Sequence, residues 1–218
     1  MILLIDPADP RPPGCPEFDY EHHPNWQTVL PLRVADTIAD LARGFTDTRG
    51  AALDTRGVHR RLFEELTPVG FEYFAGHYRG EPLRCLQHYA VGIANDPRVG
   101  VPPASVGHWL ADTNALIRSG LDALDSDPGL PRIDRLRYLV VLSCRVFELY
   151  LRIHPYANGN GHAARFLVWC LLGRYGHWPR RWPIEPRPPD PPYTDCIIRY
   201  RNGDKEPLEK FLASTLVP

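Results

Sequence analysis

The sequence has no excess of either charge: 25 Lys and Arg stand against 26 Asp and Glu, a formal net charge of −1 over 218 residues. Binding along a nucleic acid or to an anionic membrane surface draws on a broad positive field. Neither is expected here, which leaves room only for a local group of arginines around a phosphate. No apolar run approaches the length that crosses a bilayer. The apolar stretch 2–5 has no basic residue before it and is too short for a secretory signal. The five cysteines, Cys15, Cys85, Cys144, Cys170 and Cys196, include no CxxC pair, and Cys144 and Cys170 lie within apolar runs. A thiol in such a run behaves as a small hydrophobe. All five are therefore expected to be reduced, in a cytoplasmic or other reducing compartment. There is no internal repeat. What is present is 44% hydrophobic residues, enough to close a core, in a length that suits one domain.

Residues 1–30 hold Pro7, Pro10, Pro12, Pro13, Pro16 and Pro24 and read as an irregular arm. His22 and His23 have no third metal ligand at useful spacing, so a turn or surface role is expected. Residues 31–218 read as a helical domain. Val34, Ile38 and Leu41 form a stripe at helical spacing, closed by Gly44. A second helical stretch spans 51–66, through Leu53, Val58, Leu62, Phe63 and Leu66, and stops at Thr67-Pro68. Residues 86–93 alternate, Asn95-Asp96-Pro97 supplies turn chemistry, and Val99-Gly100-Val101 follows, which predicts a short β-hairpin closed by Pro102-Pro103. Helices are then predicted over 103–124, 133–153 and 163–172. The last two are apolar on most faces and therefore central. Six prolines within 182–192 impose an extended path. Two more helical stretches follow, one over 194–202 and one carrying Leu208, Phe211 and Leu212. The fold class is all-α, a helical bundle with one small β-hairpin.

Between the two most apolar helices lies His154-Pro155-Tyr156-Ala157-Asn158-Gly159-Asn160-Gly161-His162-Ala163-Ala164-Arg165. Polar, glycine-rich sequence at that place has no packing role. Pro155 and Gly159 stop the first helix, and Gly159-Asn160-Gly161 opens the second. The first N–H groups of a helix lack internal partners and sit at the positive end of its dipole, which suits an anion. Glycine lets the main chain approach a phosphate closely. Asn160 can cap the helix or donate its amide, and Arg165 can add a forked, charge-assisted contact. His154 is the one side chain of the turn suited to accepting a proton near neutral pH.

This segment resembles the signature of the Fic family, H-P-F-x-[D/E]-G-N-G-R-x-x-R. His154, Pro155, Gly159, Asn160, Gly161 and Arg165 match it, with Tyr156 in place of Phe. The resemblance extends over about 70–212. Residues 74–79 resemble the stretch before the family's flap, and 86–101 the flap hairpin. Val101-Pro102-Pro103 resembles the proline pair after the flap, and 193–212 the closing helices. It implies a Fic-type bundle and transfer of AMP from ATP, the co-substrate, to a Ser, Thr or Tyr hydroxyl of a target protein. His154 would be the general base. Asn158, Gly159, Asn160, Gly161, His162 and Arg165 would surround the phosphates. The flap, through Tyr89, Val91 and Ile93, would pair with an extended target segment.

Two positions depart from the pattern. Asn158 stands where the family has the acidic residue that holds Mg2+, and an amide is a poorer ligand for that hard cation. His162 stands where the family has Arg and cannot form a fork. These departures keep two alternatives open: transfer of another group, such as a different nucleotide, phosphocholine or a bare phosphoryl, or a module that binds nucleotide or protein without turnover. No inhibitory [S/T]-x-x-x-E-[G/N] segment is present, so any restraint would come from a separate inhibitor or antitoxin protein. No nucleic-acid or membrane partner is expected.

Overall fold

A computed structural model describes residues 14–93 and 96–216. Eight helices are present among them: α1 (Trp26–Ala42), α2 (Thr48–Leu53), α3 (Arg56–Phe63), α4 (Val106–Ser126), α5 (Arg132–Ile153), α6 (Asn160–Gly173), α7 (Tyr193–Arg201) and α8 (Glu206–Ser214). The all-α class stands. No helix among the described residues is long and apolar enough to cross a membrane.

α6 is buried on almost every side, from His162 to Gly173. It packs against α5, α2 and α3, while α4, α7 and α8 pack around α5. α5 buries Leu139, Val140, Val146, Phe147, Tyr150 and Ile153. Phe147 meets Trp182 edge to face at 5.2 Å between ring centroids. Each fully buried aromatic of this kind contributes on the order of 3 kcal/mol or more against truncation to Ala. The turn 154–159 therefore joins the two most constrained rods of the molecule.

Four expectations need correction. The predicted hairpin is absent among the described residues, where residues 89–93 and 96–101 carry one isolated antiparallel bridge, Ile93 to Asp96. Ala94 and Asn95, in its expected turn, lie outside the described residues. The arm ends earlier than residue 30, because α1 begins at Trp26 and carries Pro31 inside it. Pro7, Pro10, Pro12 and Pro13 lie outside the described residues. Cys15 and Cys85 are joined by a disulfide, whereas Cys144, Cys170 and Cys196 are free and buried. The stretch 51–66 divides into α2, α3 and a 3-10 turn at Glu64–Leu66. The break follows from Thr55, whose hydroxyl hydrogen-bonds the phenols of Tyr150 and Tyr156 at 2.5 and 2.8 Å.

Candidate functional site

α5 ends because His154 turns left-handed, φ +48°, the one non-glycine residue with positive φ among those described. That conformation costs roughly 1–2 kcal/mol for a residue with a Cβ, so it persists only where the surroundings hold it. His59, fully buried, does part of this. Its ring stacks on Tyr156 at 3.6 Å, its Nε2–H donates to the carbonyl of Asn158 at 2.9 Å, and its Nδ1 accepts from the amide of Gly76 at 3.0 Å. Asn160 folds the turn from within, its Oδ1 accepting from the Tyr156 amide at 2.8 Å and its Nδ2 donating to the Tyr156 carbonyl at 2.9 Å. Its side chain is thus committed to the turn. Gly159 is required where it stands: φ is +73°, and a Cβ there would lie 2.4 Å from the Phe63 ring.

Within the first turn of α6, the N–H groups of His162 and Ala163 bond back to the Gly159 carbonyl, and the Gly159 amide bonds to Asn158 Oδ1. The N–H groups of Asn160 and Gly161 meet no acceptor among the described residues. They belong to a cleft of about 550 Å3 lined by His154, Asn158, Gly159, Asn160, Gly161, His162 and Arg165, a size that suits a small-molecule site. The six residues expected around the phosphates and His154, the expected base, all line this one cleft.

Their side chains are held in different ways. His154 Nδ1 donates to the carbonyl of Leu151, which leaves Nε2 as an acceptor. Burial pushes the His154 pKa down to about 4, against the Leu151 bond and helped by the charges of Arg79 and Arg201. The imidazole is therefore neutral at physiological pH. Arg165, buried on α6, anchors its Nε–H to the carbonyl of Ile184 at 2.8 Å and lays its guanidinium over Gly161. His162 Nε2 lies 2.7 Å from Glu185 Oε2. Burial lowers the His162 pKa more than that carboxylate raises it. Burial acts to raise Glu185, but the His162 hydrogen bond and the charge of Arg165 bring it below the usual carboxylate range. In this contact the His162 Nε2–H donates to the Glu185 carboxylate.

Asn158 acts as a tie. Its Nδ2 donates to the Phe18 carbonyl at 3.1 Å while its Oδ1 holds the Gly159 amide at 2.6 Å. With both ends engaged, it does not fit the role of a metal ligand. Among the described residues no group of three or more His, Cys, Asp or Glu is placed to hold a metal ion.

The remaining walls come from residues that sequence reasoning set aside. Tyr20, Glu21 and Trp26 of the N-terminal segment and Glu185, Pro186 and Arg187 of the proline-rich strip line the same cleft. The N-terminal segment is fixed by the disulfide, by Phe18 stacking on Phe74 at 5.7 Å, and by the Phe18 amide donating to the Tyr89 hydroxyl at 3.0 Å. The strip is fixed by buried Trp182 and Ile184 and by Trp169 Nε1–H donating to the Trp182 carbonyl at 2.8 Å. The only sequence signal for these walls was the pair of charges, Glu185 and Arg187, set among prolines.

The expected target-binding residues divide. Tyr89 and Val91 are buried in the core, 3% and 1% exposed, and cannot face a partner. Ile93 is exposed at 44%. A flap presenting all three as a strand edge is therefore not what the chain forms. No protein-family model and no curated protein sequence matches this chain.

Proposed function

We propose that this chain is a Fic-type transferase that moves AMP from ATP to a Ser, Thr or Tyr hydroxyl of a target protein. The observation that carries the reading is the meeting, in one cleft, of two helix-start N–H groups, at Asn160 and Gly161, that meet no acceptor among the described residues, with a neutral imidazole at the end of α5. In this scheme the amides and the Arg165 guanidinium hold phosphate oxygens. His154 Nε2 takes the hydroxyl proton, the hydroxyl oxygen bonds to the α-phosphorus, and the bond from that phosphorus to the leaving oxygen breaks to release pyrophosphate. The proton ends on His154, whose low pKa makes it a strong acid in return. A polyphosphate in the cleft raises that pKa toward neutrality, because a nearby negative charge favours the imidazolium. Positioning and charge stabilisation supply the catalysis. Asn158 is engaged with Phe18, so no step is routed through a metal at that place. Target recognition falls to the exposed Ile93 and to the cleft rim.

A second reading has one observation in its favour. Glu185 adds a negative charge beside Arg165, at the cleft that would receive the phosphates. A donor with fewer negative charges than ATP, such as a diphosphate diester that gives up phosphocholine and releases a nucleoside monophosphate, suits that field better. The test is incubation of the chain and its His154→Ala variant with donors and cell extract, followed by mass spectrometry of the modified proteins. The mass added to a target names the donor. Modification that survives His154→Ala would refute the assignment of the base.

A further inference from the structure

We infer that Arg79 is a positioning residue for His154, a guanidinium that fixes the backbone carrying the imidazole and ties it to the backbone at Tyr89 and Val101. The inference rests on the reading of His154 as the base. Arg79 is 1% exposed. Its Nε–H donates to the carbonyl of His154 itself at 2.7 Å, and its Nη2 donates to the carbonyls of Ile153 at 2.9 Å and Val101 at 3.0 Å. Its Nη1 donates to the carbonyl of Tyr89 at 2.9 Å, and its own backbone amide donates to the carbonyl of Pro155 at 2.8 Å. Three consecutive residues, 153 to 155, are therefore held by one side chain and its backbone.

The chemistry explains the choice of residue. Ile153 and His154 expose the last carbonyls of α5, which have no helical partner and carry the negative end of its dipole. A cation with several donors in a rigid plane satisfies them together. A lysine presents one nitrogen at one point and cannot reach carbonyls on both α5 and the loop. The same plane joins the carbonyls of Tyr89 and Val101, and the backbone N–H of Gly100 donates a hydrogen bond to the carbonyl of Arg152 at 2.7 Å. The left-handed turn at His154 is thereby fixed, and with it the direction in which the imidazole projects while Nδ1 stays on Leu151. The other charge acting on His154 is Arg201 of α7. Arg201 is paired with Glu148 at 2.8 Å and Asp96 at 2.7 Å, and Arg152 is paired with Glu148 at 2.9 Å.

The experiment compares the full chain with Arg79→Lys by nitrogen-15 NMR of the histidine rings, the His154 signals being assigned from their loss in His154→Gln. Positioning predicts that Arg79→Lys, with its charge kept, loses the pure Nδ1–H tautomer at His154 while His59 and His162 keep theirs. A folded Arg79→Lys with an unchanged His154 tautomer overturns the inference. If Arg79→Lys does not fold, amide exchange on the wild-type chain decides. The amides of Arg79, Gly100 and His154 should then open as one unit, with protection within about threefold of one another. A tenfold or greater divergence overturns the inference. Neither readout needs a donor, so a chain that transfers nothing still tests Arg79, and the His154→Ala transfer assay tests the functional reading separately. Where transfer is measured, the expected change in Arg79→Lys is a drop of at least tenfold in kcat with the donor KM unchanged.

Discussion

Replacing Asn158 by Asp separates two accounts of the turn. If position 158 exists to hold a metal, a carboxylate there improves it. If Asn158 is a tie between the turn and the N-terminal segment, the same change harms the protein. Asp keeps the acceptor for the Gly159 amide but loses the Nδ2–H that reaches the Phe18 carbonyl at 3.1 Å. It also points a negative oxygen at that carbonyl in a partly buried place. Losing one such bond and leaving an acceptor opposed to a charge costs about 1–3 kcal/mol. For a chain of this size each kcal/mol lowers the melting temperature by roughly 2–4 °C, so a fall of roughly 2–12 °C is expected. The segment carrying Tyr20 and Glu21, one wall of the cleft, should also become easier to cleave with a protease. The assay is a thermal melt of both proteins, followed by calorimetry with ATP in the presence and absence of Mg2+. An Asn158→Asp protein that melts no lower than wild type and gains Mg2+-dependent binding would refute the tie.

Three further outcomes follow from the same geometry. Burial pushes the His59 pKa down to about 3, while an unfolded imidazole titrates near 6.5. The unfolded chain therefore binds a proton that the folded chain excludes. The stabilisation is complete above about pH 6.5 and is lost as pH falls toward 3, at up to about 1.4 kcal/mol per pH unit for each such imidazole. Urea titrations giving a flat stability from pH 7 to pH 4 would contradict this. The two glycines of the cradle should behave differently: a Cβ at Gly161 meets only the movable end of Arg165 at 3.0 Å, whereas one at Gly159 strikes the Phe63 ring at 2.4 Å. Gly161→Ala should melt within a few degrees of wild type yet bind ATP at least tenfold more weakly by calorimetry, and Gly159→Ala should be destabilised by about 3 kcal/mol or more through forced backbone strain and overpacking. Finally, the bond between Cys15 and Cys85 spans 70 residues, so a chain-entropy account predicts that Cys15→Ser loses about 4 kcal/mol, and a melt identical to wild type would argue against the bond.

The sequence was most legible where a pattern had one physical source. The apolar density of 133–153 and 163–172 located α5 and α6, and the polar turn between them stood out because packing gave it no reason to be there. Legibility failed where distant parts of the chain decided. The alternation at 86–93 suggested a strand with one face outward, but Tyr89, Ala90 and Val91 are all buried. An extended segment covered on both sides needs no strand partner when its Tyr89 carbonyl is taken by a guanidinium. Helix was expected to run unbroken from 51 to 66, and it breaks at Thr55 because two phenols nearly a hundred residues away claim that hydroxyl. Pro31 lies inside a helix that buries Leu30 and Val34, so packing outweighs the lost backbone bond. The disulfide and the cleft walls at 20–26 and 185–187 come from residues far apart along the chain, and no local rule joins them.

The helix that begins with the two open amides is also the one enclosed by its neighbours along its whole length. A cradle mounted on a peripheral helix can fill and empty while the remaining fold is indifferent. Here the mouth of the cleft and the keystone of the interior are one element, so an occupant reports on the entire molecule. At a hundredfold excess over its Kd, any guest of the folded form adds about 2.7 kcal/mol to the unfolding free energy. A panel of phosphate esters ranked by melting temperature would thus single out the donor before any acceptor protein is in hand.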